Sequence, residues 1–159
     1  MVIKTKEELK EIINCTKGDG KSVLIKRGVF DIIHPGHVFT IQELQKKTDV
    51  LIMLTVSNEL TEKKKGSNRP INSQKQRSEV LSALKGVDYV YCDKSKSREE
   101  YIELLNYLKP SLLAVTLGDK EKSRAYKNSS WELIEIKDKK RSDYSTTNII
   151  EKILNKYRD

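Results

Sequence analysis

The sequence predicts an α/β fold built on a doubly wound, parallel sheet of five strands with helices on both faces. Short runs of β-branched and aliphatic residues, typical of strands buried on both faces, recur along the chain. Segments with helical spacing of apolar residues lie between these runs, and a helix is the usual crossover between two parallel strands. The length of 159 residues is in the range of one domain. We therefore expect a single Rossmann-like domain over residues 1–159.

The first half of the chain contains two clear helix starts. They are capping boxes, formed by Thr5 with Glu8 and by Ser73 with Gln76. The residues from Ser57 to Ile71 show no periodicity and are predicted to form one polar loop. The predicted elements are a helix that ends near Gly18 and packs on the core as part of residues 1–20, a strand over 23–27, a helix over about 36–47, a strand over 50–54 and a helix from Ser73 to Gly86.

The second half continues the alternation of strands and helices. A third capping box, Ser97 with Glu100, opens a helix that Pro110 stops. Trp131 is interpreted as core or loop packing, not as a ligand platform. The predicted elements are a short strand over 87–91 near an edge of the sheet, a helix from Ser97 to Pro110, a strand over 112–115, a strand over 131–136 and a helix from about 145 to 157.

Residues 23–37 contain the most informative pattern in the chain. A predicted strand leads into Gly28, and the only two histidines, His34 and His37, follow at the start of a helix that Pro35 opens. A helix N-terminus carries unpaired N–H groups and about half a positive charge, which together attract phosphate. Two imidazole groups add directional donors, so this junction favours a phosphate-handling site.

Two other interpretations of the histidines are open at this point. The side chains could cap the helix or pack against it, or they could form a metal pair, because residues i and i+3 share a helix face. The chain has no third histidine, and Cys15 and Cys92 lack ligand-like spacing. No protein-bound metal site is therefore predicted.

Other candidate residues follow the remaining strands. In sheets of this kind, ligands bind outside the carboxyl ends of the strands, where the strand order reverses. Lys63 to Lys65 follow the second strand, Gly118 and Asp119 follow the fourth, and the hydroxyl run from Ser145 to Thr147 follows the fifth. One hydroxyl suffices to cap the last helix, and the others could grip phosphate. Arg77 lies early in a helix, where the helix dipole disfavours cations, so it is either a plain surface arginine or a contact for an anionic partner.

Charge and composition argue against several classes of function. The net charge is +8, but 23 acidic residues are interleaved with 31 basic ones, so a solvated surface explains the balance better than nucleic-acid binding. The sequence lacks an aromatic-rich basic stripe, a Gly-x-Gly-x-x-Gly motif and a Gly-Lys-Ser/Thr motif, which disfavours a single-strand binder, a dinucleotide oxidoreductase and a P-loop enzyme. It shows no membrane span or signal region, so we expect a cytoplasmic protein without a membrane partner.

The motifs resemble those of the cytidylyltransferase-like nucleotidyltransferase family. The hallmark of that family is a His-x-Gly-His sequence after the first strand and a Ser/Thr-rich turn at the last helix, here His34-Pro-Gly-His37 and Tyr144-Ser-Thr-Thr-Asn-Ile-Ile150. Within the family, the heptose-1-phosphate adenylyltransferase branch of lipopolysaccharide core biosynthesis is the most similar. The segments that carry this similarity are Gly28-Val-Phe-Asp31, Arg69-Pro-Ile-Asn72, Arg77-Ser-Glu-Val-Leu81, Val87-Asp-Tyr-Val90 and Gly118-Asp119. Two positions depart from the branch, because Arg27 replaces an asparagine and Thr116-Leu117 replaces a pair that usually contains a glycine.

The resemblance implies a role for each candidate residue. His34 and His37 would contact the triphosphate of a nucleotide, and Lys65 and Arg77 would reach phosphates of the acceptor or of the leaving group. The residues implied to bind the nucleotide are Arg27, Gly28, Val29 and Phe30 after the first strand, Gly118 and Asp119 after the fourth, and Tyr144, Ser145, Thr146 and Thr147 at the last helix.

The resemblance also implies the reaction and its partners. The enzyme would join the nucleotidyl group of ATP, or less favourably CTP, to a phosphorylated small molecule such as a sugar 1-phosphate, and Mg²⁺ would arrive with the triphosphate. Dimers are common in the family, so a homodimer is a further expectation. The alternatives are a glycerol-3-phosphate cytidylyltransferase, an enzyme like FAD synthase, and a nucleotide- or nucleic-acid-binding module without catalysis.

Overall fold

The computed structural model describes residues 2–116, 126, 130–136 and 144–157. Strands and helices alternate in the described chain, as the sequence predicts. The elements are α1 (Lys6–Gly18), β1 (Val23–Gly28), α2 (Pro35–Gln45), β2 (Val50–Thr55), α3 (Asn58–Lys65), α4 (Gln74–Ser82), β3 (Tyr89–Cys92), α5 (Arg98–Leu108), β4 (Leu112–Thr116), β5 (Glu132–Ile136) and α6 (Thr146–Tyr157).

The five strands form one parallel sheet in the order β3-β2-β1-β4-β5. The chain builds outwards from β1 through β2 to β3, then returns to the other side of β1 for β4 and β5. This order is that of a doubly wound sheet, so the predicted fold class is confirmed. The reversal falls between β1 and β4, where Leu24 pairs with Leu112 and Lys26 pairs with Ala114. A cleft is expected outside the carboxyl ends of these two strands.

Each face of the sheet is covered by its own apolar cluster. Side chains alternate between the two faces along a strand, so Val23 and Ile25 pack towards α1 and α5, while Leu24 packs towards α2 and α4. Residues 51–55 of β2 are buried throughout, as expected for a central parallel strand with helices on both sides. Trp131 is 5% exposed and belongs to the α1–α5 cluster, which confirms its predicted packing role.

The predicted polar loop over 57–71 is wrong in its first part, because residues 58–65 form α3. Ser57 caps this helix through its side chain, which accepts a hydrogen bond from the Leu60 N–H, and three lysines occupy the last turn. Only Leu60 and Thr61 are buried, so the segment carries too few apolar positions to show a helical period. The third capping box is also incomplete, because the Glu100 carboxylate accepts from the Lys96 N–H and not from Ser97.

Helix α6 has a strongly amphipathic sequence and a partly uncovered apolar side. Ile153 and Leu154 are about half exposed, and Tyr157 is 81% exposed. In the described part of the chain, no helix combines the length and the apolar character needed to cross a bilayer.

Arg77 is a buried cross-link between segments that converge at the end of β1. It is 1% exposed, so the alternative of a plain surface arginine is wrong. Its Nε donates to the carbonyl of Asn72 at 3.0 Å, and its two terminal nitrogens donate to the carbonyls of Val29 and Val56 and to Asn58 Oδ1. The guanidinium is therefore occupied by backbone acceptors. These contacts hold the β1 and β2 exits together, and the phosphate contact expected for Arg77 stays a prediction.

We expect substitution of Arg77 by lysine to lower the free energy of unfolding by about 3 kcal/mol, because one ammonium group cannot satisfy acceptors placed around a planar fork. Denaturant unfolding of Arg77→Lys measures the effect. Lys75→Ala is the matched control on the same helix. Its side chain is exposed and its ion pair with Glu79 is 4.0 Å long, so it should change stability by under about 0.5 kcal/mol. Equal stability of Arg77→Lys and the wild type would contradict this role.

Candidate active site

The chain leaves β1 through a tight turn that Gly28 makes sterically feasible. The ring of Phe30 folds back over Gly28, and a Cβ atom added there would lie 2.6 Å from the ring. Phe30 adopts a left-handed backbone conformation with φ of 51° and is buried. Gly28 and Phe30 therefore act together, because the first leaves room for the side chain of the second. Phe30 lies in the α2–α4 cluster and is 5% exposed.

Asp31 fixes the other side of the same turn. Its carboxylate accepts hydrogen bonds from the N–H groups of Ile71 and Asn72, both at 2.9 Å, and from Arg69 Nε at 3.0 Å. Burial acts to raise the pKa of Asp31, but the two backbone hydrogen bonds and Arg69 outweigh it and hold the pKa below its ordinary value. The carboxylate thus stays charged and ties residues 69–72 to the end of β1.

His34 and His37 stack on each other at the start of α2. Their ring centroids are 3.8 Å apart with an angle of 26° between the planes, and Phe30 meets the His37 ring edge-on at 5.4 Å. His34 occupies the N-cap position, but its side chain makes no capping hydrogen bond. A Cβ atom on Gly36 would lie 3.0 Å from the His34 ring, so glycine lets this ring sit close to the helix backbone. The capping interpretation of His34 is therefore not supported.

His37 is neutral at physiological pH. Burial, the neighbouring His34 and the charge of Lys65 together lower the pKa of His37 to about 4. Its Nδ1 atom is buried and has no hydrogen-bond partner among the described residues. The effect of Lys65 also shows that the structure places this lysine near the histidine pair. An anionic ligand between them would reverse the electrostatic balance and favour protonation.

The start of α6 lies beside the start of α2. The Tyr144 Cβ would be 3.4 Å from a Cβ atom built on Gly36. Ser145 Oγ accepts from the Asn148 N–H at 3.1 Å, which confirms that one hydroxyl of the run caps the helix. Thr146 is buried and Thr147 is exposed. A cleft of about 580 Å³ lies at this junction, lined by Ile33, His34, Pro35, Gly36, Val38, Phe39, Gln42 and Tyr144.

A second cavity, of about 210 Å³, lies at the switch between β1 and β4. We call it the switch-point cavity. Its lining joins the ends of both strands to the last turn of α3 and to α5. The lining residues are Lys26, Arg27, Gly28, Val29, Val56, Thr61, Lys64, Lys65, Tyr101, Leu113, Ala114, Val115, Thr116 and Tyr126.

The structure brings most of the predicted residues to one edge of the sheet. Arg27, Gly28, Val29 and Lys65 line the switch-point cavity, and His34 and Tyr144 line the neighbouring cleft. Phe30 and Arg77 lie behind this surface. Gly118 and Asp119, which were predicted to bind the nucleotide, lie outside the described residues.

Sequence reasoning missed Asp93 and Tyr101 near the switch-point cavity. Asp93 directly follows β3, so its position after a predicted strand was a usable signal. Tyr101 was interpreted only as part of the inward face of α5. Within the described ranges, no group of three His, Cys, Asp or Glu side chains is placed to hold a metal ion.

The chain matches a known protein family over most of its length. The family model for cytidylyltransferase-like proteins matches residues 25–152, a span that contains most of β1, both histidines and the start of α6. The chain belongs to the cytidylyltransferase-like family.

Curated relatives of this family member carry the name bifunctional protein HldE. The protein of Syntrophotalea carbinolica is 32% identical over 162 residues, which cover 98% of this chain and 31% of that protein. The protein of Campylobacter jejuni is 35% identical over 156 residues, covering 97% and 32%. That of Shigella flexneri is 34% identical over 157 residues, covering 95% and 31%. The chain thus spans about a third of the length of these relatives, and its predicted resemblance to them is confirmed.

Two solved structures share the fold. A lipopolysaccharide core biosynthesis protein from Thermoplasma volcanium superimposes with a TM-score of 0.63 and 22% identity, covering 75% of this chain and 98% of that one. A pantoate-beta-alanine ligase from Francisella tularensis gives a TM-score of 0.63 at 16% identity, covering 98% and 77%. At these identities the likeness establishes the fold alone.

Gly28→Ala is expected to destabilise the protein by about 1–3 kcal/mol, because the new methyl group meets the Phe30 ring at a distance no side chain tolerates. Thermal or denaturant unfolding tests this. Gly18→Ala is the control, since a Cβ atom there meets nothing within 4 Å and alanine is the better residue in a helix. A Gly28→Ala protein as stable as the control would show that the ring is not held over the glycine.

The depressed pKa of His37 predicts an acid-dependent loss of stability. Between pH 6.5 and about 4 the unfolded chain binds a proton at this residue and the folded protein does not, so stability falls as pH falls. The loss of stability caused by His37 reaches about 2 kcal/mol at pH 5 and is absent above pH 7. Unfolding of the wild type and His37→Asn at pH 7.5 and pH 5 should show a weaker pH dependence in the variant. Equal slopes would mean that His37 titrates normally.

Proposed function

We propose that this protein is a nucleotidyltransferase that joins the nucleotidyl part of a nucleoside triphosphate, with ATP favoured, to a phosphorylated small molecule and releases pyrophosphate. A sugar 1-phosphate is the favoured acceptor. The family and the resemblance to HldE proteins support this proposal, and the geometry of the site supports the chemistry. The cytoplasm, where ATP is available, is the proposed location.

One observation carries the proposal: the N-termini of α2 and α6 meet beside two stacked histidines and close to Lys65. Each helix start presents unpaired N–H groups and the positive end of its dipole. Two such ends, together with imidazole donors and an ammonium group, form a polyanion site suited to a triphosphate. Because His37 is neutral in the free protein, it adds no charge repulsion with Lys65 before the ligand binds.

The reaction needs positioning and charge stabilisation more than acid–base catalysis. An oxygen of the acceptor phosphate attacks the α-phosphorus and forms a new P–O bond, while the bond to the β-phosphate oxygen breaks and pyrophosphate leaves with the electron pair. A phosphate monoester has its second pKa near ~6 and is already largely dianionic at neutral pH, so no side chain has to remove a proton. The protein therefore mainly holds both anions together and offsets the charge of the transition state.

His34 and His37 are the groups proposed to act on the transition state. Their imidazoles sit at the helix start and donate to oxygens on which charge grows as the α-phosphate is attacked. Lys65, in the last turn of α3, is proposed to neutralise the acceptor phosphate or the leaving pyrophosphate. The run from Ser145 to Thr147 is proposed to hold the β- and γ-phosphates through Thr147 and backbone N–H groups, since Ser145 is used as a cap.

Magnesium fits this site as part of the nucleotide substrate. The nearby carboxylates Asp31 and Asp93 are both engaged with arginine and with hydrogen-bond donors, and no cluster of acidic side chains in the described ranges faces the cleft. Mg²⁺ takes few protein ligands in such enzymes and is held largely by phosphate oxygens. It supplies charge neutralisation on the triphosphate.

Substituting either histidine with asparagine is expected to lower kcat about 10²–10³-fold, as for the loss of one preorganised donor to a developing charge. Binding of ATP should weaken much less, because only interactions that strengthen in the transition state accelerate the step. Pyrophosphate release, measured at pH 7.5 with ATP or CTP and a panel of sugar and alcohol phosphates, tests both the reaction and the base.

Three outcomes decide among the alternatives. Turnover with CTP and glycerol 3-phosphate but not with ATP would move the assignment to the glycerol-phosphate branch. Variants that unfold readily but keep full activity per folded molecule would make the histidines structural. Tight, salt-sensitive binding to nucleic acid without turnover of any acceptor would indicate a binding module.

A further inference from the structure

Arg27 projects into the switch-point cavity on the face of the sheet opposite the histidines. It lies two residues after Ile25, so its side chain shares the α1–α5 face. The guanidinium carbon lies 4.2 Å from the centroid of the Tyr101 ring, and Nε lies 2.6 Å from Asp93 Oδ2. Only 14% of the side chain is exposed, and the carboxylate of Asp93 is fully buried. A stack on one side and an ion pair at one edge thus fix the plane of the guanidinium.

Asp93 is itself held in place by the turn that follows β3. Its Oδ1 accepts from the Ser95 N–H at 2.9 Å and from Ser95 Oγ at 2.6 Å. The other oxygen, Oδ2, faces Arg27. The carboxylate is therefore fixed from its own turn, and the arginine is oriented against it.

The donors of Arg27 are not used up by these contacts. A guanidinium has five N–H donors, yet both Nε and Nη2 are buried and lack a well-directed hydrogen-bond partner within the described residues. The Nε contact with Asp93 is close but is an ion pair without hydrogen-bond alignment. A buried donor without an acceptor costs about 1–3 kcal/mol, so an acceptor oxygen that enters the cavity and reaches this guanidinium would recover part of that cost.

The cavity suits a small, oxygen-rich molecule. Its volume of about 210 Å³ lies below the roughly 300–1,000 Å³ of drug-sized sites, so it fits the body of a small acceptor better than a whole nucleotide. Lys64 and Lys65 line it from α3, and Lys65 is the one that influences His37 on the α2 side. The reacting phosphate must meet the nucleotide on that side. The remaining part of the acceptor then extends towards Arg27 and the Tyr101 ring.

We propose that Arg27 is a specificity-determining residue that donates hydrogen bonds to oxygens of the acceptor's body, hydroxyl or carboxylate, and that Asp93 positions its guanidinium. This inference rests on the proposed function and names the substrate class of the same site: a phosphorylated polyhydroxy compound such as a sugar phosphate. A phosphate ester without further oxygens gains nothing from Arg27.

The test compares the wild type with Arg27→Asn, Arg27→Lys and Asp93→Asn. Pentose, hexose and heptose 1-phosphates are the oxygen-rich acceptors, and ethyl phosphate is the acceptor without hydroxyls. Arg27→Asn is expected to raise KM for the sugar phosphate that the wild type uses best. The rise should be about 10- to 100-fold, which corresponds to the loss of hydrogen bonds from a charged group. The rise should be much smaller with ethyl phosphate, which offers Arg27 no further oxygen. An equal rise in KM for ATP would return Arg27 to the nucleotide-binding role that the resemblance implies and would overturn the proposal. KM for the sugar phosphate in Arg27→Lys and in Asp93→Asn should lie between the values of the wild type and Arg27→Asn. In Asp93→Asn, KM should change with little change in kcat.

Lys21→Asn is the matched control, because it removes an exposed cation just before the start of β1. It should leave every constant unchanged. An unchanged KM for sugar phosphates in Arg27→Asn, or an equal loss with ethyl phosphate, would overturn the proposal. If Arg27→Asn does not fold, Arg27→Lys carries the same comparison.

Thermal shifts with sugar phosphates separate this proposal from the proposed function. A wild-type shift that Arg27→Asn loses, in the absence of any turnover, would keep the acceptor site and reject the transferase. No shift with any sugar phosphate would overturn the assignment of Arg27, whereas turnover with other phosphate esters would still support the transferase.

Discussion

The polar backbone at the exit of β1 is the constraint on which the rest of the site depends. The chain must leave the central region of the sheet, reverse within a few residues and begin a helix, and each buried carbonyl or N–H group on the way needs a partner. Arg77 supplies donors to the carbonyls of Val29, Val56 and Asn72. Asp31 accepts from Ile71 and Asn72. These two oppositely charged side chains, each bonded to backbone, hold the helix start at which the histidines stack.

Burial gives these charged groups different functions in the same region. Asp31 is charged because its hydrogen bonds outweigh the cost of removing it from water, and it therefore orders a neighbouring segment. His37 is neutral because burial and neighbouring positive charge outweigh its basicity, and it is therefore ready to donate to an anion. Arg27 is paired with Asp93, but two of its buried nitrogens lack a hydrogen-bond partner among the described residues. The role that we propose for each group thus depends on how completely its hydrogen-bonding capacity is already satisfied.

Much of the fold could be predicted from the sequence because its signals are local. Capping boxes and apolar runs located α1, β1, β2, α4 and β4 to within a few residues. Helix α3 was missed because its two buried residues cannot display a helical period. Two signals were present in the sequence: Ser57 as an N-cap residue and the lysines in the last turn. The histidine pair and its neighbours were found because the motif is contiguous. The burial of Arg77 and the ion pair of Asp93 with Arg27 were not predicted, because they depend on partners far along the chain, which spacing cannot reveal.

The strand order also sets when the site can form during folding. Both β1 and β4 line the switch-point cavity. One side of β1 stays unpaired until β4 docks and Leu24 pairs with Leu112. Strands β1, β2 and β3 are consecutive and can assemble from shorter-range contacts, whereas the β1–β4 pairing closes a long loop and is entropically costly. Until it closes, an apolar edge of the central strand is open to solvent and to other chains. The strand pairing that completes the switch-point cavity is therefore also the step at which the folding chain is exposed to mispairing.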